Sequence, residues 1–549
     1  MKKRVPLGQK SYEKLKTGNY YVVDKSLMIK DYLDKGNEVT LITRPRRFGK
    51  TINMSMMAEF FDITKDSKEL FKDTKIMNTA YASEMNQYPI IFISFSDVKG
   101  NKQMMINNIQ QILAELYQKN NDVFKNLDEY DLPFFENIRR NFSMPDKIDL
   151  NGLDNALSFL MKQMERYYRK KVMIFIDEYD TPFIEAHING FYNEIRENLS
   201  SMLHQALKSS NSLQYAMLTG IQRVAKENLF SDLNNLVVCT VADENYSQYF
   251  GFTESEVKEL LEYYDLELND RVKSMYNGYR FGNLQIYNPW SILGYVSEGK
   301  LKSYWVNTSS NSMIKQAMKR ADEVFNDGYE KLVENGELET RVRMETSFFE
   351  ANTTASLWGL LINAGYLTID KMISFDQNKY ILRIPNHEVQ KEFQDLTSYY
   401  LKASDTELSD LFDALIDEEQ KSFEIRYQKL LMTLPSYHDL KDENSYHVLF
   451  LGMCAWLSKD YKIISNREEG KGRCDIILQA KDENKTSFVL EFKYIGSDSE
   501  ASQERLQIAA KQAVDQIRDK QYDIEIDGKV VYIGLAHHGK DAAIEWQEK

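Results

Sequence analysis

The 549-residue sequence predicts an α/β fold: a parallel sheet covered by helices in the first half, a helical lid, a helical and winged-helix-like middle region, and a smaller α/β domain at the C-terminal end. Three observations carry this reading. Near-continuous apolar runs rich in β-branched and aromatic residues recur at 39–42, 89–95, 172–176 and 213–220 with long helical stretches between them, as expected of strands buried on both faces. The first run passes through an arginine-rich turn into Gly49-Lys50-Thr51 and then a helical pattern. Near the other end, Val489-Leu490-Glu491-Phe492-Lys493 sets two charges into a strand otherwise built for burial.

Bulk properties narrow the class. Hydrophobic residues at 43 % and aromatics at 12 % mark a folded chain, long enough for several domains. A net charge of −14 argues against a protein that coats nucleic acid non-specifically, although a local basic cleft is compatible with it. The three cysteines, Cys239, Cys454 and Cys474, have no CxxC spacing, so neither a structural zinc site nor a disulfide framework is expected, and a reducing cytoplasm fits. Met1-Lys2-Lys3-Arg4-Val5-Pro6 is basic but precedes no long apolar segment, so no signal peptide is expected. The apolar run at 448–457 is about half the length a bilayer requires, so no membrane contact is expected.

In chain order, Tyr20-Tyr21-Val22-Val23-Asp24-Lys25-Ser26 leads into a short helix through Met28, Ile29, Tyr32 and Leu33. Strand 39–42 then enters Thr43-Arg44-Pro45-Arg46-Arg47-Phe48-Gly49-Lys50-Thr51. Strand, loop and helix N-terminus in that order is the layout of the P-loop (Walker A), in which backbone N–H groups cradle phosphates. The candidate phosphate-binding residues are Arg46, Arg47, Phe48, Gly49, Lys50 and Thr51. Lys50 would reach the β and γ oxygens, and the Thr51 hydroxyl would hold Mg²⁺. The pattern G-x-x-x-x-G-K-[ST] calls for glycine at position 44, where this chain has arginine. Residues 51–63 space their apolar side chains for a helix packed on a sheet. After strand 89–95, helical stretches are expected at about 103–130 and 152–170.

Strand 172–176 ends in Asp177-Glu178-Tyr179-Asp180, the Walker B pattern: Asp177 would join Thr51 in the Mg²⁺ shell, and Glu178 would orient or deprotonate the attacking water. The next strand ends in Thr219-Gly220, where an ATPase of this layout places a sensor of the γ-phosphate. Thr219 is the candidate, and Arg223 or Lys226 could face the phosphates. Alternating strands and helices argue a parallel sheet that binds its ligand, ATP, at the strands' carboxyl ends.

The block 44–51, Ile176-Asp177-Glu178-Tyr179-Asp180, Thr219-Gly220-Ile221, Tyr249-Phe250-Gly251-Phe252-Thr253, Tyr276-Asn277-Gly278-Tyr279 and Tyr287-Asn288-Pro289 together resemble the AAA-ATPase-like family of prokaryotic proteins. The resemblance spans most of the chain. It implies a P-loop NTPase core, makes Arg44 a trait of the family, and implies a PD-(D/E)XK nuclease-like domain at the C-terminal end. The region 251–300 reads as the helical lid: 254–264 is amphipathic and Asn288-Pro289-Trp290 restarts a helix. In 301–420, a helix at 355–364 followed by a hairpin at 365–369 and 380–385 gives the winged-helix-like reading, with a spacer role favoured over DNA reading because no basic helix is visible.

The C-terminal stretch has its own chemistry. Glu443 precedes an apolar helix, a strand at 461–465 follows, then Cys474-Asp475-Ile476-Ile477-Leu478, and Glu491 and Lys493 come on the neighbouring strand. An aspartate opening one strand with Glu-x-Lys ending the next is the PD-(D/E)XK arrangement. Alternation puts Glu491 and Lys493 on one face and Phe492 on the other. Asp475 and Glu491 would bind Mg²⁺ or Mn²⁺ through oxygen, with Glu443 able to complete the shell, while Lys493 positions the activated water or offsets charge. Gln512 and Gln516, one helical turn apart, are where this superfamily often places a supporting glutamine. His447 is expected to be a core histidine.

The expected domains are 1–250 (P-loop AAA-like ATPase core), 251–300 (lid), 301–420 (linker region) and 421–549 (nuclease-like domain). The function read from them is an ATP-binding and ATP-hydrolysing switch coupled to a metal-dependent nuclease, with Glu178, Asp475, Glu491 and Lys493 as catalytic residues, acting on nucleic acid, DNA more than RNA, in defence or DNA processing. The rival reading is a nucleotide-binding regulatory or protein-binding scaffold whose nuclease fold is inactive. Because ATPases of this kind often borrow an arginine from a neighbour, a homo-oligomer is compatible with the motifs.

Overall fold

The structure, a computed structural model, describes residues 2–142, 149–223, 235–305, 324–325, 328–329, 331–332, 336–344, 353–390, 405–433, 443–454, 457, 460–465, 468–469, 472–496, 502–524 and 526–549. The chain divides into two compact units. One comprises Met1–Met313, Val342–Ile369 and Pro385–Glu388; the other comprises Ile314–Arg341, Asp370–Ile384 and Val389–Lys549. Residues 251–300 are thus part of the first unit.

In the first unit, strands β1 (Val39–Thr43), β2 (Ile90–Ser94), β3 (Val172–Asp177), β4 (Leu213–Gly220) and β5 (Leu236–Cys239) form one sheet in the order β2-β3-β4-β1-β5. Every neighbouring pair is parallel. β1 and β3 are buried along their whole length, as their unbroken apolar character requires. The two faces of β3 bind different layers. Ile174 and Ile176 join a core with side chains of the Lys102–Lys119, Ala156–Tyr168 and Tyr192–Leu207 helices. Phe175, between them, packs on Phe61 and Tyr32, which the Lys50–Phe61 and Leu27–Lys35 helices supply on the opposite face. β4 lies between β1, which feeds the arginine-rich loop, and β3, which ends in the acids. Three adjacent carboxyl ends therefore face one place.

Two departures from expectation have local causes. The helix expected over 103–130 stops at Lys119, because Asn120-Asn121-Asp122 compete for backbone groups. A 3₁₀ turn, Asn121–Phe124, and a separate helix, Asp131–Phe142, follow. β5, only four residues long, carries too little periodicity to be recognised from sequence. Beyond it, Thr253 and Glu256 form a capping box on the Glu254–Tyr263 helix, and Asn288 caps Pro289–Glu298 through the Trp290 amide. Between them lies the hairpin β6 (Tyr279–Phe281) and β7 (Leu284–Ile286).

In the middle region the Thr354–Ala364 helix is as expected, but the sheet has three strands, β8 (Glu337–Arg341), β9 (Thr368–Ser374) and β10 (Lys379–Arg383), in the order β8-β10-β9. β8, Glu-Leu-Glu-Thr-Arg, buries Leu338 alone and so left little hydrophobic signal.

The C-terminal part of the second unit is a mixed sheet. β11 (Tyr461–Ser465) is followed by a small ribbon, β12 (Glu468–Glu469) with β13 (Gly472–Arg473), and then β14 (Ile476–Ala480), β15 (Ser487–Tyr494), β16 (Val530–His538) and β17 (Asp541–Glu548). The main sheet runs β11-β14-β15-β16-β17, with β15 and β16 parallel and the other pairs antiparallel. Phe488, Leu490 and Phe492 point into a core made with the Asp405–Ile416, Gln420–Thr433 and Glu443–Cys454 helices. Val489, one register step away, packs with Val514 and Ile517 of the Gln503–Lys520 helix on the other face. That helix comes so close that a Cβ on Gly534 would stand 2.0 Å from the Ala510 carbonyl oxygen. Among the described residues, no helix is long and apolar enough to cross a membrane.

Candidate functional site

The arginine-rich loop is curled by left-handed backbone at Arg47 (φ 70°) and Gly49 (φ 83°). Gly49 caps the Lys50–Phe61 helix without a side-chain hydrogen bond, so its first-turn N–H groups point out of the loop toward whatever anion it holds. The loop's side chains divide between two jobs. Arg44 is fully buried: its guanidinium donates to the carbonyls of Thr43 (2.8 Å), Cys239 (3.0 Å) and Asn245 (3.2 Å) and lies over the rings of Phe250 and Phe281. Burial lowers its pKa to about 10. The residue in the place of glycine therefore faces away from the loop's mouth, and its own amide is tied to Gly220 of β4 (3.1 Å). Phe48 packs on Tyr279 and Phe281, and Arg47 stacks over Trp290 at 4.4 Å while donating to the Tyr304 carbonyl. Lys50 is buried and donates to the carbonyls of Arg44 (3.0 Å) and Pro45 (2.9 Å). Burial lowers its pKa, and the charges of Glu178 and Asp177 oppose that shift.

The acids meet this loop from β3. Asp177 accepts the Thr51 hydroxyl at 2.7 Å on one oxygen and the Thr219 hydroxyl at 2.7 Å on the other, with Ser94 3.4 Å away. The four side chains come from three adjacent strands and the helix after the loop. Burial raises the Asp177 pKa while the two threonines hold it down. A carboxylate beside a threonine hydroxyl at the head of a helix is an oxygen donor set suited to Mg²⁺, so the residues present fit that ion. Thr219, expected as a γ-phosphate sensor, has its hydroxyl engaged by Asp177. Glu178 sits in a left-handed conformation (φ 52°) that turns its carboxylate outward, where the Thr181 hydroxyl reaches it at 3.2 Å. Asp180 is buried and accepts the amides of Ile221 (2.8 Å) and Gln222 (3.1 Å), clipping the ends of β3 and β4 together; burial raises its pKa to about 6. Arg223 is the last residue described before 224–234, and Lys226 lies outside the described residues.

A cavity of 380 Å³ opens at the loop, within the roughly 300–1,000 Å³ common for small-molecule sites. Its lining combines polar groups of the loop and of β3 (Arg46, Lys50, Thr51 and Glu178) and Lys99 with apolar side chains, among them Val22, Val23, Phe252, Pro289, Trp290 and Leu293. Its described lining holds six cations (Lys10, Lys25, Arg46, Arg47, Lys50 and Lys99) against one acid, Glu178. A slot that joins apolar walls to a strong excess of cations suits an aromatic base joined to a polyphosphate. Sequence reading missed the apolar part of the lining. The signal was Tyr21-Val22-Val23, apolar residues outside any regular element, which reads only as a lead into the next helix.

In the second unit, Asp475 and Glu491 are neighbours across β14 and β15. Ile476 is registered with Leu490, and the Phe492 amide donates to Asp475 Oδ2 at 2.8 Å. Glu491 is 2 % exposed. Its Oε1 accepts from Gln516 and lies 3.4 Å from Lys493 Nζ, whereas Oε2 is buried with no hydrogen-bond partner. Burial first, and then the charge of Asp475, push its pKa up to about 8. A buried carboxylate oxygen without a donor, facing a second carboxylate, is what a divalent cation would satisfy, and the oxygen donors fit Mg²⁺ or Mn²⁺. Among the described residues no group of three or more His, Cys, Asp or Glu could hold a metal. Glu443 opens its helix, but its side chain lies outside the described residues. Of the two glutamines, Gln516 reaches the site and Gln512 is exposed. His447 is buried in the core, and its Nε2 lies 3.1 Å from the Asp475 carbonyl, to which it can only donate.

Comparison with known proteins identifies two families along the chain. Residues 6–230 match the family model of the predicted AAA-ATPases, and residues 441–547 match that of the PD-(D/E)XK nuclease superfamily. A protein from Azotobacter chroococcum mcd 1, described as an uncharacterized protein in the vnfD 5′ region, is 25 % identical over 540 residues, covering 95 % of this chain and 93 % of that one. A solved structure from Pyrococcus horikoshii, a signal transduction ATPase with numerous domains carrying a tetratricopeptide repeat sensor, is 12 % identical and matches 75 % of this chain with 53 % of its own; its TM-score of 0.24 is too low to bear on the fold. The chain thus joins an AAA-ATPase-like region to a PD-(D/E)XK nuclease-like region, the architecture its motifs imply.

Proposed function

We propose that this chain, an AAA-ATPase-like region followed by a PD-(D/E)XK nuclease-like region, is an ATP-driven switch coupled to a metal-dependent nuclease. The observation that carries the first half is Asp177, held by the hydroxyls of Thr51 and Thr219 at the foot of a cationic cavity. In this reading the amides after Phe48 and the Lys50 ammonium bind the phosphates of ATP, Thr51 and Asp177 hold Mg²⁺, and Glu178 accepts a proton from the attacking water. The apolar side chains of the lining receive the base. When bound, Mg²⁺ supplies charge neutralisation of the phosphates.

The second half rests on the orphaned Glu491 Oε2 beside Asp475. Asp475 and Glu491 would hold Mg²⁺ or Mn²⁺, which when bound would supply water activation and charge neutralisation for hydrolysis of a phosphodiester of DNA, or less favourably RNA. Lys493 orients that water, and Gln516 fixes the Glu491 carboxylate. The ATP state would govern access to this site, and a homo-oligomer is compatible with it.

ATP turnover with Mg²⁺ tests the switch: Lys50→Ala should abolish binding, and Glu178→Gln should bind ATP but slow hydrolysis by roughly 100-fold or more. Turnover indifferent to both substitutions would end this reading. The rival reading is a nucleotide-binding regulatory or protein-binding scaffold with an inactive nuclease fold. In that case ATP binding survives and no nucleic acid is cut.

A further inference from the structure

Strand β2 ends beside the acids: Ser94 is registered with Asp177, and the Phe95 amide donates to the Asp177 carbonyl at 3.0 Å. The loop that follows is rigidly held. The Val98 amide donates to Phe95, Val98 is fully buried, and the Asn108 side chain donates to the Asp97 carbonyl at 2.8 Å. Gly100, at φ 97°, then turns the chain into Asn101, which caps the Lys102–Lys119 helix. Lys99 stands in this pinned loop, half-buried in the wall of the cavity that also holds Lys50, Thr51 and Glu178.

The cavity's cations are not equivalent. Lys25 is paired with Glu256, and Arg47 is stacked on Trp290. Lys10 is exposed. Among the described residues, Lys99 and Arg46 make no ion pair, yet both are half-buried in the cavity's lining. Arg46 rides on the loop itself, so it stays with the phosphates nearest the helix. Lys99 comes instead from the loop after β2, the strand that pairs with β3 on the side away from β4 and β1, so in this reading it approaches from beside Asp177 and Glu178, where the terminal phosphate of a triphosphate would lie and a diphosphate would have nothing.

We propose that Lys99 is a ligand of the γ-phosphate, making the site selective for nucleoside triphosphate over diphosphate from within one chain. The inference rests on the ATP reading above and goes beyond it by assigning the residue that tells the two nucleotides apart. A half-buried ammonium in a rigid loop loses little side-chain freedom on meeting a phosphate oxygen, and a charge-assisted bond of this kind is among the stronger ones.

Calorimetric titration of the full chain with MgATP and with MgADP tests it. For Lys99→Gln the ATP affinity should fall roughly 10- to 100-fold while the ADP affinity stays within about twofold; Lys99→Arg should keep most of the preference. ADP binding serves as the check on folding, since loss of structure would weaken both nucleotides together. If Lys99→Gln weakens both equally, or neither, the assignment is overturned while the ATP reading stands. If the wild-type chain binds neither nucleotide, both fall.

Discussion

Arg44 shows how a single residue can look like a defect in sequence and be a structural bolt in space. Its guanidinium satisfies the carbonyls of Thr43, Cys239 and Asn245 and fills the space against Phe250 and Phe281. Restoring the glycine that the loop pattern calls for, Arg44→Gly, should therefore destabilise the first unit by roughly 3 kcal/mol or more, because it opens a cavity and strands buried carbonyls. Thermal unfolding reads this directly, and an unchanged melting temperature would refute the bolt. Sequence reasoning could find Lys50, Thr51, Asp177 and Glu178 because phosphate chemistry dictates residue types at fixed spacing. It could not find where Arg44 points, since that depends on β5 and on residues some 200 positions away. The same limit hid the role of Thr219: its placement at a strand's end was legible, but its bond to Asp177 comes from the interposition of β4 between β1 and β3.

At the scale of elements, the blocks Tyr-Phe-Gly-Phe and Tyr-Asn-Gly-Tyr are places where backbones nearly touch. Gly251 has φ 103°, and a Cβ there would meet Ile286 at 2.2 Å; Gly278 has φ 120°, and a Cβ would stand 1.9 Å from the Pro385 carbonyl oxygen. Gly299 is a useful contrast, left-handed at φ 66° but with open space around it. Gly299→Ala should cost about 1 kcal/mol from backbone conformation alone, and Gly278→Ala should cost several times that because Pro385 must move. Denaturant titration of the two variants side by side decides it; equal losses would mean that the close approach carries no weight. The elements that sequence reading recovered best were long and strongly patterned, such as β3 and the Glu254–Tyr263 helix with its capping box. Those it missed, β5 and β8, are short strands whose pairing partners, not their own residues, make them strands. In the C-terminal sheet, alternation alone put Glu491 and Lys493 on one face, and the structure has both within reach of each other there. The choice of Gln516 over Gln512 needed the rotation of the Gln503–Lys520 helix against β15.

At the scale of the molecule, an acidic chain of net charge −14 concentrates six cations in one cavity of its first unit and sets the buried Glu491 carboxylate beside the half-buried Asp475 in its second. Neither concentration follows from composition, and each would be favoured by a ligand of opposite charge, a polyphosphate in one case and a divalent cation in the other. That pairing is the central claim: one chain carries a nucleotide site and a metal-dependent cutting site, each built from its own unit's residues. The most direct measurement is cleavage of plasmid, linear and single-stranded DNA and of RNA by the full chain with Mg²⁺ or Mn²⁺, with and without ATP, compared for wild type and Asp475→Ala. Wild type should show metal-dependent cleavage that responds to ATP and is reduced at least about 100-fold in Asp475→Ala. Wild type that cuts none of these substrates, or Asp475→Ala that cuts them as fast as wild type, would contradict it.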